Sequence, residues 1–555
     1  MKDGVAKGSP ARQGPVSDGS VRDGRVKRGA GRGAVAGVAS AALLFAVAEL
    51  LSAFFGPASS PFTAVGSTFI DFTPAWLKDF AIATFGSNDK TVLLIAMALV
   101  AAAASAMIGL VAGTSLRAAN LIVLVAALAM AACVLTRSGA GAVDVLPLAA
   151  GTAAGIWVLR LLTEAAGEAA GSTSPASPPH PASPTHPAFP TIPSQQQASP
   201  SRRAFLLRSA AVAGAAVVLG LGGALLSRTR TKVKAVREAL KLPAPFTTAP
   251  PLPAGVQASV AGVVPFVTPA NDFYRIDTAL VAPEVDPSGW SLRVHGMVEA
   301  EFTMGFDELL ASDLVEAYVT LACVSNEVGG NLVGNAKWLG LPLREVLARA
   351  KPLPGADMVL STSVDGFTAS TPLPVLQDGR AALLAVGMNG EPLPVDHGFP
   401  VRMVVPGLYG YVSATKWVVD LELTTFALQT AYWTSRGWSS HGPVKTASRI
   451  EVPSDGARLA AGRVALGGSA WAQTRGISKV EIQLDGGSWQ PAQLAGEASV
   501  DTWRQWSFMW NDAPAGNHTA RVRSYDASGA LQVREEAPPA PDGATGWHTV
   551  SFTLS

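Results

Sequence analysis

Long apolar stretches in the first 230 residues constrain this chain more than any other feature of its sequence. Four of them, 34–55, 91–113, 118–135 and 143–162, approach the roughly 20 residues that an α-helix needs to cross a bilayer. A fifth, 204–226, follows a segment rich in Pro and Ser. None shows the amphipathic period of a helix packed on a soluble core. The sequence therefore predicts a membrane region of about five spans.

Basic residues give the expected orientation of these spans, because cytoplasmic flanks carry an excess of Lys and Arg. Five lie in the twelve residues before the first span: Arg22, Arg25, Lys27, Arg28 and Arg32. Others lie at the end of the fourth span or the start of the fifth: Arg160, Arg202, Arg203 and Arg208. Five spans then place everything after Leu226 outside. A basic run between Arg228 and Lys241 conflicts with this placement, although long domains translocate regardless of nearby charge.

The segment 201–206, Ser-Arg-Arg-Ala-Phe-Leu, resembles a twin-arginine export signal. A positive flank on the cytoplasmic side would look similar, so both interpretations stay open. With the orientation above, we expect a multi-pass protein of the cell membrane whose large soluble part lies on the extracytoplasmic side.

The membrane region offers little chemistry of its own. No histidine lies between residues 34 and 163, so bis-histidine haem is excluded there and no haem is predicted. Glu49 is the candidate for a transport pathway, and its alternative is a position near the interface. We interpret the region as an anchor or as a docking site for another subunit.

Composition and short periodicities divide the chain into successive regions. Residues 1–33 form a basic cytoplasmic tail, 34–163 the four-span region and 164–200 a Pro/Ser-rich linker. The export-like signal and fifth span occupy 201–227, and a second linker 228–259 spaces the soluble part from the membrane. The remaining regions are predicted as an α+β domain, 260–440, and an Ig-like β-sandwich, 441–555.

Two kinds of pattern support this division of the soluble part. In the first domain, β-patterned runs at 290–298 and 315–321 alternate with short helical ones at 306–311 and 342–349. In the second, regularly spaced strands separated by turns are expected: 464–472, 477–484, 503–510, 518–525 and 547–554. The net charge of +1 does not indicate nucleic acid as a partner.

The chain has two cysteines, too few for a disulfide framework. Cys133 lies in an apolar run and is interpreted as a small buried hydrophobe. Cys323 follows a β-patterned run, and by itself a cysteine in that position is usually a core residue.

The surroundings of Cys323 nevertheless resemble a known family. The segment 320–343, TLACVSNEVGGNLVGNAKWLGLPL, is similar to the cysteine-bearing segment of the sulfite oxidase family. Downstream, 388–394 (MNGEPLP), 397–407 (HGFPVRMVVPG) and 414–417 (ATKW) resemble that family too, as does the upstream NDFYR at 271–275. These motifs occur in the family's order, and the similarity extends from about residue 264 to the end of the chain.

The resemblance implies a molybdenum-molybdopterin cofactor. Cys323 would be the protein's only ligand to the metal, and soft thiolate sulfur suits molybdenum. The other ligands would be the two dithiolene sulfurs and oxo groups. Seven residues are implied to contact the pterin or its phosphate: Asn271, Tyr274, Arg275, Asp365, His397, Arg402 and Lys416. Each has a plainer interpretation as a turn former or an exposed strand charge.

Two departures from the family bear on the substrate. Animal and plant sulfite oxidases have an arginine five residues after the ligand cysteine, where this chain has Val328. They also have a tyrosine just before Met-Asn-Gly, where this chain has Val386. Because an anion site needs fixed positive charge, tight sulfite binding is not expected. A sulfoxide, an N-oxide or another small oxyanion or oxo donor is the alternative substrate.

We therefore expect a membrane-anchored molybdopterin enzyme that transfers an oxygen atom to or from a small substrate. The first alternative is a reductase similar to the periplasmic methionine sulfoxide reductase. The second is a cofactor-free scaffold or adhesive protein that kept the fold. The expected partners are a separate electron carrier and the membrane, with a homodimer formed through the C-terminal domain.

Overall fold

The apolar stretches of the N-terminal region form helices. The computed structural model describes residues 19–55, 59–74, 77, 80, 84–85, 89–137, 140–171, 202–229 and 232–555. Its membrane-type helices are α1 (Gly19–Phe55), α2 (Pro61–Phe72), α3 (Asp89–Ala112), α4 (Leu116–Leu135), α5 (Leu146–Gly171) and α6 (Arg202–Thr229). Four segments are long and apolar enough to span a membrane: Gly31–Phe55, Lys90–Ala112, Leu116–Leu135 and Ala142–Ala166. Four of the five predicted spans are thus confirmed by length and composition.

The fifth predicted span stays a prediction. Its helix, α6, runs the length of a span, but the apolar part among the described residues, Leu206–Gly222, is shorter than the others. The side chains of Arg202 and Arg203, and all of Ser201, lie outside the described residues. Most of the predicted linker, 172–200, also lies outside them, whereas 164–171 continues helix α5.

Glycines bring the membrane-type helices close together. A Cβ atom on Gly37 of α1 would lie 2.0 Å from the carbonyl oxygen of Ser105 in α3. One on Gly151 of α5 would lie 2.4 Å from the carbonyl oxygen of Leu44 in α1. Since apolar helices gain little from hydrophobic burial against each other in lipid, such close backbone contact is what holds them.

Glu49 has a structural role at the turn between α1 and α2. Its carboxylate accepts hydrogen bonds from the Ser60 hydroxyl at 2.8 Å and from the backbone N–H of Phe62 at 3.3 Å. The N–H groups of a first helical turn have no partner within the helix, so a carboxylate there caps it. This contact explains Glu49 without a transport pathway.

Two compact units make up the chain. The first comprises Met1–Phe72 and Thr84–Arg228, and the second comprises Thr73–Ala83 and Thr229–Ser555. The second unit contains the predicted α+β domain and Ig-like sandwich, as well as a short helix α7 (Lys232–Ala239).

The α+β domain is built on two sheets. Its helices are α8 (Phe306–Leu310) and α9 (Leu343–Ala350). Its strands are β1 (Ser291–Gly296), β2 (Phe302–Gly305), β3 (Val315–Ala322), β4 (Val333–Pro342), β5 (Met358–Ser363), β6 (Thr368–Pro372), β7 (Leu383–Met388), β8 (Glu391–Pro392), β9 (Arg402–Val404) and β10 (Val418–Thr424). One sheet has the order β2-β1-β10-β5-β6, and the other has the order β3-β4-β7-β8 with β9 paired to β7. The predicted alternation of strands and helices is confirmed.

The C-terminal domain is the predicted sandwich. Its strands are β11 (Ala447–Val452), β12 (Ala457–Leu459), β13 (Gly462–Trp471), β14 (Ile477–Leu484), β15 (Gln490–Pro491), β16 (Gln493–Leu494), β17 (Arg504–Ala513), β18 (Gly516–Asp526) and β19 (Thr549–Leu554). They form the sheets β11-β13-β17-β16 and β12-β19-β18-β14-β15. Between the sheets lies a core of fully buried residues that includes Leu466, Ile482, Trp506 and Val522.

The described part of the predicted spacer 228–259 packs against the α+β domain. Helix α7 buries Val233 in the α+β domain, and Thr247 pairs with Val315 of β3. Leu242 packs against Gly387, and the N–H of Phe246 donates to the carbonyl of Leu314. Its many prolines suggested an extended spacer, and the apolar residues between them dock it on the domain instead.

Candidate active site

Cys323 stands at the end of β3, at the start of a loop that returns to β4. Its N–H donates to the carbonyl of Leu332 at 2.9 Å, and its carbonyl accepts from the N–H of Asn326 at 3.2 Å. The Asn326 side chain closes the loop by accepting from the N–H of Leu332 at 2.8 Å. These bonds fix the direction of the Cys323 side chain, which is buried.

Donors surround the Cys323 sulfur. The N–H groups of Ser325 and Val324, the Ser325 hydroxyl and the positive charge of Lys416 all favour its ionised form. Burial raises the pKa of the Cys323 thiol, and the hydrogen bonds and the Lys416 charge oppose that rise. A metal that binds this sulfur would deprotonate it, and the same donors stabilise the resulting thiolate.

Arg402 is a buried cation next to this loop. Its guanidinium donates to the carbonyls of His397 at 3.2 Å and Met403 at 3.3 Å, and lies over the Trp338 ring at 5.1 Å. No carboxylate among the described residues pairs with it. Burial lowers the pKa of Arg402 to about 10, so it stays charged at neutral pH.

Lys416 is the second buried cation. Its Nζ donates to Asp277 at 2.9 Å and to the carbonyl of Asp396 at 3.0 Å. Burial lowers the pKa of Lys416 to about 8, against the opposing effect of Asp277. Gly398 permits the approach of the two cations, because a Cβ there would lie 3.0 Å from that of Arg402 and 3.1 Å from that of Lys416.

Arg275 completes the cluster of charges. It pairs with Asp277 at 3.1 Å and with Asp396 at 3.0 Å. The cluster therefore contains three cations, counting Arg402 and Lys416, against two carboxylates. Its net charge is positive.

His397 is buried beside these cations and is neutral. Its Nε2 donates to the carbonyl of Ala270 at 3.0 Å, whereas its Nδ1 is buried with no partner among the described residues. Burial, together with the charges of Lys416 and Arg402, lowers the pKa of His397 to about 3. A buried ring nitrogen without a partner is uncommon in a native protein.

The other predicted site residues, Tyr274, Asp365 and Asn271, lie in three different environments. Tyr274 stacks on Phe273, and its pKa is raised by burial and by the neighbouring Cys323 thiolate. Asp365 accepts from the N–H of Phe367 at 3.2 Å and from the Thr278 hydroxyl at 3.4 Å, as a turn former does. Asn271 is exposed, and no contact within the described chain joins it to the buried cations.

These contacts fit an anionic, phosphorylated cofactor bound beside a thiolate ligand. An isolated buried guanidinium and an unpaired ring nitrogen both cost free energy unless a ligand completes them. A phosphate would complement Arg402 and Lys416, and His397 Nδ1 would accept a hydrogen bond from the ligand. The sequence missed Asp277, Asp396, Ser325 and Tyr409. The first three could have been found, since each lies within two residues of a predicted site residue.

The comparisons with known proteins agree with this architecture. Residues 279–433 match the family model of the oxidoreductase molybdopterin binding domain. Residues 448–522 match that of the bacterial Ig domain. The mitochondrial sulfite oxidase of Mus musculus is 31% identical over 288 residues, which are 43% of this chain and 52% of that protein. The soluble part of this chain is thus similar to the sulfite oxidase family, and its residues 279–433 form a molybdopterin-binding oxidoreductase domain.

Other relatives in the family show how far the similarity extends. The mitochondrial sulfite oxidase of Homo sapiens is 31% identical over 46% of this chain and 55% of its own length. The NADPH nitrate reductase of Emericella nidulans is 28% identical over 52% of this chain and 41% of its length. The chain thus spans about half the length of the curated relatives it matches.

Among solved structures, the sulfane dehydrogenase SoxCD from Paracoccus pantotrophus matches with a TM-score of 0.46 and 23% identity. The match covers 54% of this chain and 85% of that chain.

Proposed function

We propose that this chain is a molybdopterin-dependent oxidoreductase that transfers an oxygen atom to or from a small substrate. The observation that carries the proposal is the buried sulfur of Cys323 beside a net positive cluster in which Arg402 has no carboxylate partner among the described residues. A cysteine that only fills space in the core would not require a positively charged cluster beside it.

Several residues of the chain would bind the cofactor together. Cys323 would bind the metal, with the Ser325 hydroxyl and two backbone N–H groups stabilising its thiolate. Arg402, Lys416 and Arg275 would neutralise the phosphate, and His397 and Tyr274 would line the pterin pocket. When bound, the cofactor supplies the two-electron redox change that oxygen-atom transfer requires.

The choice of substrate follows from the two valines. Val386 is fully buried in β7, and Val328 packs close to Gly546 of the Ig-like domain. Neither can bind an anion, so an uncharged oxo donor such as a sulfoxide or N-oxide is favoured over sulfite. A reductase similar to methionine sulfoxide reductase is therefore the second candidate.

The remaining expectations concern location and partners. We infer that the membrane helices tether the soluble part on the extracytoplasmic side, and that a separate carrier exchanges electrons with it. A homodimer through the Ig-like domain belongs to the same proposal. The family match, the four span-length helices and the Ig-like fold support these statements.

Metal and pterin content of the full-length protein test the central claim. Molybdenum should be stoichiometric in wild-type protein from cofactor-competent cells, and the protein should act on methionine sulfoxide or sulfite. Cys323→Ser should abolish turnover with the fold retained, because the change is nearly isosteric. Cys133→Ser, which alters the other free cysteine in α4, is the matched control and should change neither property. Wild-type protein without molybdenum would leave only the scaffold alternative.

A further inference from the structure

Tyr409 lies where the molybdopterin domain meets the Ig-like domain. Its ring is buried, and its N–H donates to the carbonyl of Gly442 at 2.8 Å. Gly543 of the Ig-like domain faces it: a Cβ there would lie 2.5 Å from the phenol oxygen and 2.7 Å from the ring. Lys445 holds that loop by donating to Asp542 at 2.8 Å and to the carbonyl of Gly543 at 2.7 Å.

The same tyrosine is a neighbour of the candidate metal ligand. A Cβ on the next residue, Gly410, would lie 3.9 Å from both the carbonyl oxygen of Ala322 and the hydroxyl of Tyr274. The turn at 409–410 therefore runs beside the residue that precedes Cys323. Burial raises the pKa of Tyr409 to about 12, and the neighbouring Cys323 thiolate contributes to the rise.

The Tyr409 hydroxyl donates no hydrogen bond within the described part of the chain. The oxygen accepts a long hydrogen bond, 3.4 Å, from the N–H of Lys445, and no acceptor among the described residues takes its proton. Tyr411 differs, because its hydroxyl donates to the carbonyl of Ser439 at 2.6 Å. A buried hydroxyl can both donate and accept, and a native protein seldom leaves its donor idle.

We propose that Tyr409 is a substrate-binding residue whose hydroxyl donates a hydrogen bond to the oxygen of a substrate bound beside Cys323, with the Ig-like domain holding it through Gly543. The inference rests on the proposed function. It also narrows the substrate class. A phenol is a neutral donor, and with valine at 328 and 386 it suits the oxygen of a sulfoxide or an N-oxide better than the charge of sulfite.

Tyr409→Phe in the cofactor-loaded, full-length protein tests the hydrogen bond. With methionine sulfoxide as the probe, kcat/KM should fall about tenfold to hundredfold, the effect of losing a donor in a buried site. Molybdenum content should stay at the wild-type level. The second readout does not depend on turnover: in the presence of methionine sulfoxide, the EPR spectrum of partly reduced wild-type protein should show an exchangeable proton coupling that Tyr409→Phe lacks.

Tyr411→Phe is the matched control, because it removes a phenol whose proton already has an acceptor. It should keep kcat/KM within about twofold and keep the proton coupling. An unchanged EPR spectrum in Tyr409→Phe overturns the inference, even if wild-type protein does not turn over methionine sulfoxide. Absence of molybdenum from wild-type protein overturns the proposed function itself, and the inference with it.

A pair of glycine variants tests the contribution of the Ig-like domain. Gly543→Ala places a methyl group against the Tyr409 ring from the opposite domain, and Gly529→Ala places one in open space. Both glycines have positive φ, +101° and +85°, so the backbone strain of the two variants is matched. Gly543→Ala should reproduce the loss of the proton coupling with molybdenum retained, and Gly529→Ala should not. Equal behaviour of the two variants would show that the Ig-like domain does not hold Tyr409 in place.

Discussion

Arg402 carries its positive charge in the interior, where two carbonyls accept its hydrogen bonds, an aromatic ring lies against it and no carboxylate among the described residues pairs with it. A buried cation without a carboxylate is costly, because carbonyl groups replace its lost hydration only in part. Such a residue makes sense where an anionic ligand supplies the missing charge. The buried charge of Arg402 should therefore lower the stability of the protein when the ligand is absent.

Arg402→Met should have opposite effects on stability and on cofactor retention. Without cofactor, the variant should be more stable than wild type by about 1 kcal/mol, because methionine fills a similar volume without charge. In cofactor-competent cells it should retain far less molybdenum. Thermal unfolding of protein from cofactor-deficient cells and metal analysis of loaded protein measure the two effects. Arg349→Met, which removes an exposed arginine that also lies over an aromatic ring, should show neither. A cofactor-free variant less stable than wild type would contradict this account.

His397 makes a separate prediction about pH. Its pKa is about 3 in the folded protein, against an ordinary value of 6.5. Below pH 6.5 the unfolded chain therefore binds a proton that the folded chain does not, and stability is lost as the pH falls from 6.5 towards 3. Between pH 7 and pH 5 this group alone should cost the cofactor-free protein about 2 kcal/mol.

His397→Gln isolates that contribution, because the amide can still donate to Ala270 but cannot bind a proton. The fall in melting temperature of cofactor-free protein between pH 7 and pH 5, followed by tryptophan fluorescence, should be smaller in the variant. Carboxylates titrate alike in both proteins and cancel in the comparison. The same pH dependence in the two proteins would mean that folding leaves the pKa of His397 at its ordinary value.

The sequence could predict some of these residues and not others, and the difference is physical. Cys323, His397 and Arg402 lie in contiguous motifs, so their neighbours in the chain reveal them. The ion pair of Lys416 with Asp277 joins residues 139 positions apart, and only the sheet topology brings them together. Tyr409 owes its position to Gly543 of the other domain. Neither contact can be predicted from a local sequence pattern.

At the scale of elements, α7 explains part of the basic run that conflicts with the expected membrane orientation. Arg237 donates to the carbonyls of Leu393 and Pro392, both at 2.8 Å, so its charge serves the fold of the soluble part. Val233 on the same helix packs into the cluster that contains Phe273 and Trp338. The sequence suggested a linker because the helix is short and polar, and short helices are stabilised mainly by packing that a sequence does not show.

Arg237→Ala should therefore destabilise the soluble part by about 1–3 kcal/mol, since two carbonyls lose charged donors. Lys234→Ala on the same helix is the control. Its ion pair with Glu238 is exposed at 4.0 Å, and its loss should change stability by less than about 0.5 kcal/mol. Thermal unfolding of the full-length protein measures both variants. Equal stability of the two would mean that α7 is not docked in solution.

For the whole molecule, apolar runs and family motifs predict the order of the regions well, because each is a property of contiguous sequence. Sidedness is different, since it depends on a balance of charges across all the spans. The basic residues from Arg228 onwards and the Arg202–Arg203 pair at the start of α6 favour opposite orientations of that helix. A charge count alone therefore leaves the location of the soluble part to experiment.

Replacing Arg202 and Arg203 together by lysine separates the two interpretations of that pair. Lysine keeps the positive charge, so the flanking effect on orientation is preserved, but an export receptor that reads arginine no longer recognises the segment. If the pair is an export signal, the soluble part of the double variant should become protected from protease added to spheroplasts, with the first four predicted spans still inserted. The matched change of Arg228 and Arg230 to lysine, which follow the apolar part of the segment, should leave the soluble part accessible. Unimpaired export of the variant with lysine at positions 202 and 203 would mean that the arginine pair acts only through its charge.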